Sequence, residues 1–251
     1  MNRTTYIFLG AVIALMSFTM AATTGWNMVK REDIETATKQ INAFYKEKST
    51  FSVIVTHQTF KGHHATVAHD ESKGFLKRKG NLYHSFMLGV HSFQDEAAAF
   101  TVDTVSKTII VADKKSVDAS KDVKLESLVA RENAVAYKRS EASGHVAYRV
   151  DYSKNHPVEA TEMHVNADNS IKEIVLYMHN ELPLSAEENA PRAKAKAKIV
   201  YSHYNLSPTF GANEFSHKTF FTFKDKKTIK TEKYSSYKLI DNRIARNQKN
   251  D

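Results

Sequence analysis

Twelve histidines occur in this chain, and six of them (His57, His63, His64, His69, His84, His91) crowd into one stretch. Neutral imidazoles are good zinc ligands, and His63-His64 followed by His69-Asp70 is the densest group. A metal site needs convergent ligands at fixed spacing, however, and no HExxH or comparable pattern occurs. Gly62–Glu71 also reads as a polar hairpin loop, so solvated histidines and no metal are expected. The carboxylates Glu187 and Glu188, or Asp151 with Glu159, are of the type used in general acid–base catalysis. Nothing in their spacing separates them from a solvated surface. There is no GxSxG elbow, and eight glycines supply neither a GxGxxG turn nor a phosphate-binding loop. Cysteine is absent, which excludes thiolate metal sites, cysteine nucleophiles and disulfides. The expectation is a protein that is not an enzyme and needs no cofactor, with a hydrolase as a minority alternative.

The run Arg192-Ala-Lys-Ala-Lys-Ala-Lys-Ile-Val-Tyr is the most regular charged feature. At a period of two, Arg192, Lys194, Lys196 and Lys198 line one strand face, and Ala193, Ala195, Ala197, Ile199 and Tyr201 line the other. As a helix the same charges would spread around the axis, so a strand is predicted. Such a stripe suits an anionic membrane surface or an acidic envelope protein; it equally suits a solvated face whose lysines block edge-to-edge pairing. Nucleic acid is not expected, because the aromatics lie on apolar strand faces and are not interleaved with the basic residues.

The elements that must position these residues are legible from periodicity. Ile34, Ala37, Ile41 and Phe44 recur at helical spacing, predicting an amphipathic helix over Val29–Glu47. The period then becomes two. Phe51, Val53 and Val55 alternate with polar neighbours; Leu82, His84, Phe86, Leu88 and Val90 share one face of a predicted strand; Thr108–Ala112 and His145–Tyr152 follow. Ser170–His179 is apolar on both faces, predicting burial on both sides. Turns are expected at Lys79-Gly80-Asn81, Asp103–Lys107, Ala142-Ser143-Gly144 and Asn166–Ser170. A short middle helix is expected near Val123–Ala130, with four or five strands before it and five or six after. Glu181–Pro191 reads as a mobile connection, and the tail after Ile244 as frayed.

The first 22 residues carry one charge, Arg3, then an apolar run from Tyr6 to Phe18 and a small-residue exit at Thr19–Ala22. That is the layout of a secretory signal peptide, with cleavage after Ala21; an uncleaved anchor is the alternative. Domains are therefore read as 1–21 signal and 22–251 one folded domain, periplasmic or secreted. The chain carries a net charge of +8, of which Arg3 is the signal's share.

Phe51, Phe75, Phe86, Met87, Phe93, Phe100, Tyr148, Met163, Tyr177, Met178, Phe220 and Phe221 give the sheet more apolar area than one or two helices can cover. A strongly curved sheet would leave a concave apolar chamber suited to acyl chains, unless ordinary core packing consumes it.

In the order of these elements the chain resembles the outer-membrane lipoprotein carrier superfamily (LolA/LolB-like). The resembling parts are the helix ending in Ile41-Asn-Ala-Phe-Tyr, the strand Phe51–Thr59, and above all Gly74-Phe-Leu-Lys-Arg-Lys-Gly-Asn-Leu-Tyr. Val102-Asp-x-x-x-Lys-x-Ile-Ile-Val, Asn166-Ala-Asp-Asn-Ser-Ile-Lys-Glu-Ile and Lys198-Ile-Val-Tyr-Ser-His-Tyr are similar to later parts of the family pattern. Lys79-Gly80 stands where the family has proline after the arginine, and Thr228–Arg243 has no counterpart. The resemblance implies a mainly β (α+β) fold, a LolA-like incomplete antiparallel β-barrel with the N-terminal and middle helices over its concave face. It further implies a non-enzymatic periplasmic carrier for lipids or lipoprotein acyl chains, with Arg78 as the latch for the helices and Leu82, Tyr83 and Phe86 near the ligand. The alternative is an envelope interaction protein that presents its basic sheet face and has no ligand cavity.

Overall fold

Alternation at a period of two makes strands, and strands joined by tight turns make an antiparallel sheet. The computed structural model describes residues 25–114, 133–142, 144–183, 189–225 and 227–243. The expected signal, middle helix and C-terminal tail lie outside them. After the two-residue β1 (Asn27–Met28), helix α1 spans Arg31–Glu47. There follow β2 (Thr50–Lys61), β3 (Asp70–Lys79), β4 (Leu82–Met87), β5 (Val90–Gln94), β6 (Ala99–Asp103) and β7 (Thr108–Ala112). The second half holds β8 (Ala134–Ala142), β9 (His145–Tyr152), β10 (Val158–Asn166), β11 (Ile171–Pro183) and β12 (Arg192–Asn205). The C-terminal segment adds a hairpin of β13 (Phe221–Lys224) and β14 (Lys227–Lys230), then β15 (Lys238–Asp241).

Thirteen strands form one sheet in the order β1-β8-β9-β10-β11-β12-β2-β3-β4-β5-β6-β7-β15, and β13 and β14 pair separately. Every pairing is antiparallel except β15 on β7. The edge strands β1 and β15 do not pair with each other, so the sheet is an incomplete barrel. A sheet this wide curls, because right-handed strand twist accumulates across it.

The helix begins at Arg31, two residues after the expected start, where the Lys30 amide donates to the Asp33 carboxylate at 2.9 Å. Its buried stripe (Ile34, Ala37, Ile41, Phe44, Tyr45) lies on one face of the sheet, here termed inner. Ile41, Phe44 and Tyr45 pack on Phe51, Val53 and Val55 of β2, Met163 and Val165 of β10, and Ile171 and Ile174 of β11. Ile34 meets Val150 and Tyr152 of β9. A closed ring of hydrogen bonds locks this docking. The Ile171 amide donates to the Tyr45 hydroxyl (3.2 Å), the Tyr45 and Tyr204 hydroxyls bond at 2.7 Å, and the Tyr204 hydroxyl donates to the Ile171 carbonyl (2.8 Å). Each buried polar group in the ring is satisfied, which is what makes its burial tolerable.

Register carries the inner face across the rest of the sheet. Phe51 stands opposite Arg78, Arg78 opposite Tyr83, and Tyr83 opposite Gln94. The other, outer face holds Phe93, Phe100, Val102, Ile109 and Val111, which form a second core with Phe220 and Phe221. Phe223, Tyr234, Tyr237 and Leu239 close over it. The covered face thus changes between the two halves, from inner under α1 to outer under the C-terminal segment.

Four expectations are corrected. Leu82–Val90 is not one strand, because Leu88 (φ +51°) and Gly89 (φ +80°) form the turn between β4 and β5. That turn makes six strands, not four or five, between α1 and residue 115, and eight described strands, not five or six, follow residue 132. Phe93, Phe100, Phe220 and Phe221 do not line a concave chamber, since they fill the outer core. Only part of Ser170–His179 is buried on both sides: Ile171, Ile174 and Val175 are buried, while Leu176, Tyr177 and Met178 are partly open. Glu181, Leu182 and Pro183 continue β11 and pair with β12.

Gly74 answers to a close approach. A β-carbon there would sit 1.9 Å from the Phe86 carbonyl oxygen, where the β3–β4 ladder ends. Gly74→Ala is expected to cost about 2 kcal/mol or more, because backbone must shift to admit it; a urea-denaturation midpoint measures this. Tyr45→Phe leaves the buried Ile171 amide without its acceptor and is expected to cost about 1–3 kcal/mol in the same measurement.

Candidate functional site

Strand alternation decides which of the expected ligand residues meet. Arg78 and Tyr83 project from the inner face, Leu82 and Phe86 from the outer one, so the four do not share a surface. Arg78 is buried, and its Nε donates to the Gly80 carbonyl at 2.9 Å. Its Nη1 lies 3.4 Å from the Tyr45 carbonyl in the last turn of α1. A guanidinium suits that position because the last helical carbonyls lack intrahelical partners and carry partial negative charge. Leu82 lines a cleft on the outer side, and the Phe86 ring packs against Phe75 and His91.

The inner face beyond Arg78, here termed the trough, is only partly covered by the described residues. Leu76 of β3 and Met87 of β4 are half-buried against the edge of the α1 core, as are Leu176, Ile199 and Tyr201. Further along, Ser85, Val90, Ser92, Thr101 and Ile110 carry the same face across β4–β7. Among the described residues, neither Val90 nor Ile110 belongs to a buried apolar cluster, and Ile110 is 38% exposed. Burial pushes the Tyr201 phenol well above its ordinary range, so it stays neutral at any physiological pH. His57 of β2, opposite Ile199 and Ser72, shares this face. Its Nδ1 is buried without a hydrogen-bond partner.

The basic stripe is a strand, as predicted, but β12 lies inside the sheet between β11 and β2 and guards no edge. Each of its cations already has a partner, a carboxylate for two of them and a neutral backbone carbonyl for the other two. Lys194 pairs with Glu159 at 2.5 Å and Lys198 with Glu173 at 2.6 Å. Lys196 donates to the Ala65 carbonyl at 2.8 Å and sits over the Phe60 ring, and Arg192 donates to the Glu181 carbonyl at 2.9 Å. The same outer face holds Arg149 between Asp151 (2.7 Å) and Glu162 (2.8 Å). Burial and neighbouring Glu162 push the Tyr177 phenol up to about 12. Asp151 and Glu159 each bind their own cations and are not joined as an acid–base pair by any described contact.

The histidines scatter. His63 bonds the Met178 carbonyl at 3.1 Å, and His64 and His69 are exposed. His84 bridges Glu214 (3.0 Å) and His91 (3.1 Å) while stacking on Phe93. Among the described residues no group of three or more His, Asp or Glu is placed to hold a metal ion.

The chain is similar to several solved structures. A LolA superfamily protein from Nitrosomonas europaea shares 11% identity over 73% of this chain and 97% of its own, with a TM-score of 0.31. A DUF1329 family protein from Desulfovibrio piger shares 7% identity over 74% and 98%, at a TM-score of 0.33. LprF from Mycobacterium bovis shares 9% over 72% and 98%, at a TM-score of 0.30. These are likenesses in the course of the chain alone. No family model and no curated protein matches the sequence.

Sequence reasoning missed one further constellation. Buried Asp95, in the β5–β6 turn, accepts from the amides of Ala97 (2.8 Å), Ala98 (3.0 Å) and His217 (2.9 Å), and from His217 Nδ1. It clamps the C-terminal segment to the sheet. The Asp95–x–Ala97 turn was a readable signal, but its partner lies 122 residues away. Burial pushes the Asp95 carboxyl up, yet the bonds from His217, Ala97 and Ala98 outweigh it and hold the group below the usual carboxylate range. A depressed folded-state value stabilises fully above the unfolded one, about 4, and the stabilisation is lost as pH falls through the folded value. Asp95→Asn is therefore expected to lower stability at pH 7 by about 1–3 kcal/mol. The gap from the parent should narrow as the pH is taken from 7 to 3, read from urea midpoints at each pH.

Proposed function

We propose that this chain is an exported, non-enzymatic carrier that holds lipids or lipoprotein acyl chains against the inner face of its half-barrel. One observation carries the reading. The C-terminal segment packs on the outer face of β5–β7, while α1 reaches inner-face residues only as far as Leu76 and Met87. Among the described residues, what remains uncovered is the trough of thioether, aliphatic and small hydroxyl side chains: Leu76, Met87, Val90, Ile110, Ser92 and Thr101. Hydrocarbon transfer to such a surface is worth roughly 0.8 kcal/mol per buried CH₂ and needs no directed polar groups. Arg78, through the end of α1, is the candidate latch that sets how far the helix can lift, with Tyr83 beside it on the trough side. Leu82 and Phe86, on the opposite face, are not part of this site. The residue pattern of 1–21 supports export to the periplasm. The rival reading, a free basic face for a membrane or envelope partner, loses support because the stripe's cations already have partners.

The test is uptake. Protein incubated with phosphatidylethanolamine and phosphatidylglycerol vesicles, then re-isolated, should carry acyl species visible in native mass spectrometry. Ile110→Lys places a charge on the trough at a partly exposed position that folding tolerates, and should reduce uptake at least tenfold. Uptake of no acyl species by the parent protein would overturn the proposal. An esterase screen of the same preparation tests the hydrolytic alternative.

A further inference from the structure

The trough leaves unexplained a cleft on the other side of the sheet. It measures about 310 Å³ and lies between the β3–β4 turn (Lys79, Leu82), the β5–β6 turn (Asp95, Glu96, Ala97) and the stretch from Phe210 to Lys218. We propose that this cleft is a second, separate binding site, for a compact single-chain amphiphile with a small anionic head.

Part of its lining is apolar. Leu82 and Ala97 face Phe210, Ala212 and Phe215, and the two phenylalanine rings meet edge to face at 5.0 Å. Phe215 is buried, so this wall is anchored. The position of the far wall is set by the Asp95–His217 clamp, which holds the segment against the β5–β6 turn.

Charge at the mouth selects the head group. Both acids there are committed, Asp95 to His217, Ala97 and Ala98, and Glu96 to Lys114 at 3.2 Å. Lys79 and Lys218 are exposed, and among the described residues neither ammonium has an ion-pair partner. The two rim charges without an ion-pair partner among the described residues are therefore both cationic, and they are complementary to a carboxylate or phosphate on a short hydrocarbon tail. The volume, at the low end of small-molecule sites, favours one chain over a two-chain lipid.

Titration calorimetry of the full chain with decanoate, decyl phosphate and uncharged decanol tests this, run in parallel on the parent and on Ile110→Lys. Saturable one-to-one binding of an anionic probe is expected in both proteins, with decanol at least tenfold weaker. Decanoate against decyl phosphate tells which head is preferred. Ala212→Trp, an exposed position on the wall, should abolish binding, and Lys79→Ala with Lys218→Ala should weaken it at least tenfold. Circular dichroism checks that each variant is folded. The proposal is overturned if no probe saturates, if decanol binds as tightly as the anions, or if Ala212→Trp changes nothing. Binding lost in Ile110→Lys but kept in Ala212→Trp places the ligand in the trough; that outcome sinks the cleft and leaves the carrier proposal standing.

Discussion

Strand alternation gives every strand two faces, and thirteen strands side by side offer far more of both than one helix can shield. An apolar face left in water is costly, and each half of this sheet meets that constraint differently. Under α1 the inner face is apolar and the outer face is charged. Under the C-terminal segment the outer face is aromatic and the inner face is small and mixed. The crossover falls at β3 and β4, where Leu76 and Met87 still touch the helix core and Phe93, one strand further, belongs to the outer core. The trough is the part of the inner face that neither cover reaches among the described residues.

The two covers are held by different chemistry. Helix α1 is seated by hydrocarbon and by the closed Tyr45–Tyr204–Ile171 ring of neutral hydrogen bonds, which does not titrate near physiological pH. Burial raises both phenols above their ordinary range. The C-terminal segment is held by the Phe220–Phe221 core and by the Asp95–His217 clamp, whose strength does depend on proton concentration. Acid therefore loosens the outer cover before it disturbs the helix.

Between β8 and β12, where no described segment covers the outer face, ion pairs do the shielding. Lys138, Arg149 and Lys198 each meet a carboxylate of the adjacent strand, and Lys194 reaches Glu159 two strands away. Such half-exposed pairs contribute modestly to stability, but they cancel the field that the linear sequence suggests. Two of the stripe's four cations meet carboxylates, because sheet order places Glu173 on the adjacent strand and Glu159 one strand beyond.

Several particulars were readable in the linear chain. The period of 3.6 ending near Phe44 marked α1 to within two residues. The Gly80, Gly144 and Asn166–Ser170 breaks marked real turns, and the alternation of Arg192–Tyr201 marked β12 despite its helix-forming composition. The β4–β5 turn escaped notice because Leu88 takes a left-handed conformation usually left to Gly, Asn or Asp, so nothing in its type punctuates the strand. Placement of the site was less legible. Leu82 and Phe86 lie near Arg78 in sequence, yet the pleat puts them on the other face.

Local patterning, which acts over a few residues through backbone sterics and side-chain period, determined the mainly β class, the single long helix among the described residues and most turns. Tertiary structure alone decided which face each half of the sheet buries. Thr228–Arg243 has no readable purpose until β15 joins β7 in parallel and Tyr234, Tyr237 and Leu239 land on the outer aromatics. Asp95 and His217 likewise acquire a role only once the chain has closed a loop of more than a hundred residues. A period says that a strand has an apolar side, but what covers that side depends on contacts between distant segments, and those no local pattern encodes.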